Sequence, residues 1–185
     1  MSHYQPLAGV KVLDLTAVIM GPFGTQILAD MGAEVTVVET PVGDANRHMG
    51  KGPHPDVSGV TLNLMRNKRS IVLDLRSDEG RAIFEKLVAE SDVFVTNLRP
   101  GSRERARVTP GDLRPLRSDL VWVAAAGYDP SSPNANAAAY DDIIQAATGF
   151  VDTNERSGLP PVIAPILIAD KVSGMALAQA VLAGL

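Results

Sequence analysis

The first forty residues constrain this chain most. Residues 10–15, VKVLDL, are a short β-rich run ending at Thr16, and Gly21-Pro22 then punctuate the chain. Phe23, Ile27, Leu28 and Met31 follow at helical spacing, with Gly32 as a stop. Residues 33–39, AEVTVVE, return to a strand pattern closed by Thr40-Pro41. Strand, glycine-bearing turn, helix and strand within about thirty residues make a βαβ unit. Its strands run parallel, because the helix carries the chain back before the second strand begins. The crossover is right-handed.

The alternation continues. Residues 70–75, SIVLDL, and 92–98, DVFVTNL, read as strands flanking a helix. Ser77 caps that helix, Asp78 and Glu79 suit its positive end, and Ile83, Phe84, Leu87 and Val88 form its buried stripe. Residues 120–126, LVWVAAA, give a fifth strand. Residues 140–148 read as a helix with Ile143, Ile144 and Ala147 inward, ended by Gly149. Residues 42–67, 129–137 and 151–165 are rich in Gly, Pro and polar side chains and read as irregular. The pattern predicts an α/β fold: a Rossmann-like, open, mainly parallel sheet with helices on both faces. Ligands of such sheets bind outside the carboxyl ends of the strands. The segments to watch are therefore 16–24, 39–44, 97–107 and 127–142, together with Asp170.

Composition removes several function classes. There is no cysteine, so no disulfide framework and no thiolate chemistry. A net charge of −4 gives no nucleic-acid footprint. His3, His48 and His54 lack metal-ligand spacing, and no metal is expected. No basic-then-apolar leader and no membrane-length apolar run occur, which makes the cytoplasm the default location.

Residues 165–185, PILIADKVSGMALAQAVLAGL, place one carboxylate, Asp170, where an extended segment turns into a helix whose apolar face is Met175, Ala178, Val181, Leu182 and Leu185. An aspartate there is ordinarily an N-cap. It is also placed to be a nucleophile, with small neighbours leaving room for a substrate. The residues alone leave both open. Gly21–Gly24 and Glu39 together suggest a nicotinamide site, but the turn lacks G-x-G-x-x-G and Pro22 removes an N–H. A tight strand-to-helix turn accounts for it more simply. Lys68, Arg69 and Arg105 offer positive charge to a phosphorylated ligand, or are plain solvated surface. Asn97 is a turn-maker or a ligand contact. Asp141 and Asp142 suit a helix N-terminus; being adjacent, they are not a dyad by spacing.

Six segments in succession carry a resemblance. They are LAGVKVLDLTAVIMGPFGTQILADMGAEVTVVE, then Gly43-Asp44-x-x-Arg47, NKRSIVLDLRSDEGRAIFEKLV, SDVFVTNLRPG, AAYDDIIQAATG and IADKVSGMALAQAVLAGL. This order resembles the class III CoA-transferase family, which includes formyl-CoA transferase and carnitine CoA-transferase and has the 2-methylacyl-CoA racemases as relatives. The resemblance implies transfer of CoA from an acyl-CoA to a small carboxylic acid, with Asp170 as the covalent nucleophile. It implies CoA contacts at Val18, Lys68, Asn97, Leu98 and Arg105, no prosthetic group, and an intertwined homodimer. Ile19 stands where formyl-CoA transferase-like members carry glutamine, Ala138 where they carry lysine, and Thr40 where they carry a basic residue. Formyl or oxalyl specificity is therefore not implied. Tyr140 stands where the racemases carry their histidine base, which favours a transferase over a racemase. Family members continue through a second, smaller domain and return to complete the first. Residues 1–185 match the N-terminal part of the large CoA-binding domain, and Leu185 falls inside an apolar helix without a C-cap signal. The expectation is a fragment, with a CoA-binding module lacking turnover as the alternative.

Overall fold

The computed structural model describes residues 4–185; His3 lies outside the described residues. Five strands form one parallel sheet: β1 (Lys11–Leu15), β2 (Glu34–Glu39), β3 (Lys68–Val72), β4 (Val93–Thr96) and β5 (Val121–Ala124), in the order β3-β2-β1-β4-β5. Every pair is parallel, as the sequence predicts. The order reverses at β1, so a crevice opens between the carboxyl ends of β1 and β4.

Alternation along β1 assigns the two faces. Val12 packs with Val35, Val93 and Val95 under α1 (Met20–Asp30) and the last helix, α8 (Ile168–Gly184). Leu13 packs with Phe94, Phe84 and Val88 on the other face, under α3 (Asp78–Ala89). Phe84 and Phe94 meet edge to face there, their centroids 6.0 Å apart. Strands β1, β2 and β4 are largely buried, and β3, an edge strand, is the most polar.

Three expectations change. The third strand starts at Lys68 and ends at Val72, two to three residues earlier than its apolar run suggests. Its register with β2 stops at Glu39–Val72, and Asp74 then turns the chain into the Ser77 cap. An edge strand tolerates Arg69, whose side chain meets water, while the Lys68 side chain turns inward. The 42–67 excursion holds a 3₁₀ turn at Ala45–His48 and a short helix, α2 (Gly59–Leu64), each capped by a side chain, Asp44 and Ser58. Residues 151–165 are not wholly irregular: Gly149, at φ 80, ends α6 (Asp141–Ala147) and starts α7 (Phe150–Arg156). Two further short helices, α4 (Pro100–Arg105) and α5 (Pro110–Leu113), connect β4 to β5.

The α1–α8 contact fixes the geometry of everything below. Gly24 and Gly174 face each other: a Cβ on Gly24 would stand 2.7 Å from the Gly174 carbonyl, and a Cβ on Gly174 would stand 2.7 Å from that of Met20. Only two glycines let the backbones approach this closely. The buried face of α8 is accordingly Gly174, Leu177, Ala178 and Val181, turned from the predicted one; Met175, Leu182 and Leu185 are exposed. The sequence pattern misleads because nearly every position of α8 is apolar or small, so periodicity alone cannot choose the inner face.

Candidate active site

The loop between β1 and α1 is held by its neighbours. Asn97, just beyond β4, brackets Ala17: the Ala17 amide donates to Oδ1 at 3.0 Å, and Nδ2 donates to the Ala17 carbonyl at 2.7 Å. Val18 sits at φ 69, a left-handed conformation that a β-branched residue rarely adopts. Asp44 accepts from the Val18 amide at 3.4 Å, and the Asn46 side chain donates to the Val18 carbonyl. A strained residue held from both sides by other elements marks a functional loop.

The Gly43-Asp44-x-x-Arg47 motif is what supplies those clamps. Gly43, at φ 76, turns the chain after β2. Asp44 accepts from the Asn46 amide at 2.8 Å, and Arg47 grips Glu39 through two bonds of 2.7 and 2.5 Å. Arg47 beside it holds the Glu39 carboxyl below its ordinary range, against burial. Glu39 is 4% exposed and also receives Ser70 and the Asp44 amide, so no oxygen is left for a ribose. The nicotinamide reading fails at that residue.

Asp170 is not an N-cap. The α8 helix begins two residues earlier, at Ile168, with Leu167 at the cap and no side-chain cap bond. The Asp170 amide instead donates to Asp141 Oδ1 at 2.8 Å. Asp141, 8% exposed at the start of α6, thus meets Asp170 across the fold. Burial first, then the Asp141 charge, pushes the Asp170 carboxyl above its usual range; Lys171 acts the other way. Lys171 itself lies over the Phe23 ring, 3.8 Å from the centroid.

The inner face of α6 is only partly the expected one, with Ile144 half-buried. Ile143 and Ala147 are exposed, and Asp141 and Gln145 face in. Gln145, 2% exposed, donates to Asp141 Oδ2 at 2.6 Å and accepts from the Ala164 amide at 2.8 Å. It therefore ties the segment before α8 to the acid that holds Asp170. Sequence reasoning missed Gln145 and read Asp141 only as a helix N-terminal acid; the signal for both was their spacing of four on a predicted helix, which puts two polar groups on one face. Asp141→Ala removes the acceptor of a half-buried amide and a partner of Gln145. It should lower stability by about 1–3 kcal/mol, and Asp141→Asn, which keeps an acceptor, by less. Paired thermal melts measure the difference.

Two cavities meet at these acids. One, of about 320 Å³, lies over the carboxyl ends of β4 and β5 and is lined by Val18, Asn97, Leu98, Arg99, Tyr128 and Asp170 among others. The second, of about 510 Å³, is lined by Met49, Ile163, Ile166 and Leu167, and shares Val18, Ile19, Tyr140, Asp141 and Asp170 with the first. Of the sequence-predicted residues, Val18, Asn97, Leu98 and Asp170 come together. Arg105 is exposed; its guanidinium donates to Ser102 at 2.9 Å, and Nη1 would stand 3.4 Å from a Cβ on Gly101, beside the loop residue Asn136.

Lys68, the remaining residue expected at CoA, lies outside both cavities. Its side chain has no exposed surface. The ammonium donates to the Pro22 carbonyl and to Thr25 Oγ1, both at 2.8 Å, and lies 3.4 Å from Asp14 Oδ2. Asp14 is fully buried and also receives Thr16 and Thr25. Burial pushes the Lys68 pKa below its ordinary value, with Asp14 opposing. An ammonium sealed between β1, β3 and the start of α1 joins those elements.

The chain matches the family model described as CoA-transferase family III over residues 7–185. It is 37% identical over 182 residues to formyl-CoA:oxalate CoA-transferases of Escherichia coli and Shigella boydii, covering 97% of this chain and 44% of those proteins. The chain thus spans less than half the length of these curated relatives. Among solved structures, a CAIB/BAIF family protein from Brucella suis superposes with a TM-score of 0.91 at 30% identity, over 98% of this chain and 49% of that one. A hypothetical protein from Mycobacterium tuberculosis superposes with a TM-score of 0.86 at 33% identity, over 97% and 50%.

Proposed function

The chain belongs to CoA-transferase family III, and from that premise we propose that it carries the nucleophile and the CoA-binding crevice of an acyl-CoA:carboxylate CoA-transferase. The observation that carries the reading is Asp170: a half-buried carboxylate on the wall shared by two cavities, at the carboxyl ends of a parallel sheet. CoA lies over the strand ends against Val18, Asn97, Leu98 and Arg105. Lys68 acts beneath it, holding the start of α1.

The chemistry follows from a carboxylate attacking a thioester. Asp170 attacks the acyl carbonyl, the C–S bond breaks, and an aspartyl–acyl anhydride and CoA thiolate result. The thiolate attacks the aspartyl carbonyl and expels the first acid as its carboxylate, leaving an aspartyl–CoA thioester. The acceptor carboxylate attacks that thioester and releases thiolate again. The thiolate then takes the new acyl group and frees Asp170. Each step exchanges one acyl bond for another, so no oxidant, metal or net proton is needed. A raised Asp170 pKa suits this role, because a carboxylate poorly stabilised by its surroundings is the better nucleophile. Backbone amides in the first turn of α8 and the helix dipole favour negative charge that develops there. The intertwined dimer implied by the resemblance, and the second domain that would complete the site, belong to the same proposal.

Trapping tests it. Full-length protein incubated with an acyl-CoA and quenched with hydroxylamine should carry a hydroxamate at Asp170 and at no other carboxylate, read by peptide mass spectrometry. Label at Asp141 or Asp142, or none at any acid, would overturn the assignment.

A further inference from the structure

The second cavity, rather than the crevice over the strand ends, tells what kind of acyl group this protein handles. We infer that the chamber lined by Ile19, Met49, Ile163, Pro165, Ile166 and Leu167 receives the acyl substituent, and that it selects branched or medium-chain apolar monocarboxylates over small or dicarboxylic ones. This rests on the CoA-transferase reading of Asp170.

Three observations support it. First, the chamber shares Asp170 with the crevice, so a thioester whose CoA lies over the strands points its other substituent here. Second, every charged group lining it is an acid: Asp141, Asp142 and Asp170, with no lysine, arginine or histidine. A second carboxylate on a substrate would meet only like charge there. Third, the apolar wall belongs to neither core cluster of the described residues. Ile163, Ile166 and Leu167 are 45%, 62% and 45% exposed, yet the segment is held in register by Gln145, which bonds the Ala164 amide at 2.8 Å and the Ile166 carbonyl at 3.3 Å. A buried polar side chain that orders an exposed apolar segment beside a nucleophile builds a binding surface.

The test uses the full-length protein with acetyl-, isovaleryl-, hexanoyl-, succinyl- and oxalyl-CoA as donors, with binding read by calorimetry and turnover by thioester exchange. Isovaleryl- and hexanoyl-CoA should bind more tightly than acetyl-CoA, and their kcat/KM should exceed that of acetyl-CoA by about tenfold or more. Succinyl- and oxalyl-CoA should be poorest. Ile166→Lys, at an exposed position, places a cation in the wall. It should erase the apolar preference and raise the relative kcat/KM for succinyl-CoA. Preference for acetyl-, succinyl- or oxalyl-CoA, or an unchanged ranking in Ile166→Lys, overturns the inference and leaves the transferase reading standing. Tighter binding of the apolar donors with no exchange of any thioester sinks the transferase reading and keeps the chamber.

Discussion

Asp170→Asn should fold, bind CoA and transfer nothing: kcat is expected to fall at least about a thousandfold. An amide cannot attack a thioester carbonyl to form an anhydride, so the loss is chemical. The structure also fixes what the variant does to stability. Asp170 does not cap α8, and the bond that locks this turn comes from its backbone amide, which asparagine keeps. The carboxyl's pKa is raised in the folded state above the ordinary value of 3.8. The folded protein therefore holds that proton more tightly than the unfolded chain. The stability it gives is present below the unfolded value and lost as pH rises through the folded one. At neutral pH the ionised Asp170 opposes folding, and asparagine removes that opposition. Asp170→Asn should thus be at least as stable as the parent at neutral pH, and the advantage should vanish in acid. Urea titrations at several pH values, beside exchange assays, measure both. A variant that loses stability at neutral pH, or keeps near-normal turnover, contradicts this account.

Lys68→Met should be strongly destabilising. It strips the ammonium from a buried aspartate and leaves Asp14 with hydroxyl and amide donors only. Breaking one side of a buried pair costs about 3–5 kcal/mol. At this chain length that lowers the melting temperature by roughly 10 °C. Lys68→Met combined with Asp14→Asn should recover much of the loss, because no uncompensated charge remains. Calorimetry on the two variants decides the matter. A phosphate contact would behave differently: melting unchanged, CoA affinity weakened, and the salt dependence of binding flattened. That outcome would place Lys68 back at the ligand.

These two residues show where sequence reading succeeds and where it stops. The sheet was legible because parallel strands buried on both faces write near-continuous apolar runs, and β1, β2 and β4 do so. The site's location followed from topology, since functional loops come after strands. Partners across the fold left no mark. Nothing in N-K-R distinguishes a lysine reaching into the core from one reaching into water. Nothing in Tyr140-Asp141-Asp142 says that the first acid turns in to meet an amide 29 residues on. The short-range rule that adjacent acids cannot form a dyad holds for Asp141 and Asp142, yet it hides the long-range pair of Asp141 with Asp170. The faces of α6 and α8 were misjudged for opposite reasons. In α6 the polar side faces in, to hold a neighbouring segment. In α8 nearly every side qualifies, and a glycine chooses.

That glycine acts as a length standard. Because α1 and α8 touch main chain to main chain at Gly24 and Gly174, the spacing between the Val18–Ile19 wall and the acid on α8 is set by atoms that no side-chain replacement moves. The apolar walls of the chamber can be recut, one residue at a time, without moving Asp170. Within such a scaffold, substrate range and reaction chemistry are separately adjustable, and diversification of the first does not put the second at risk.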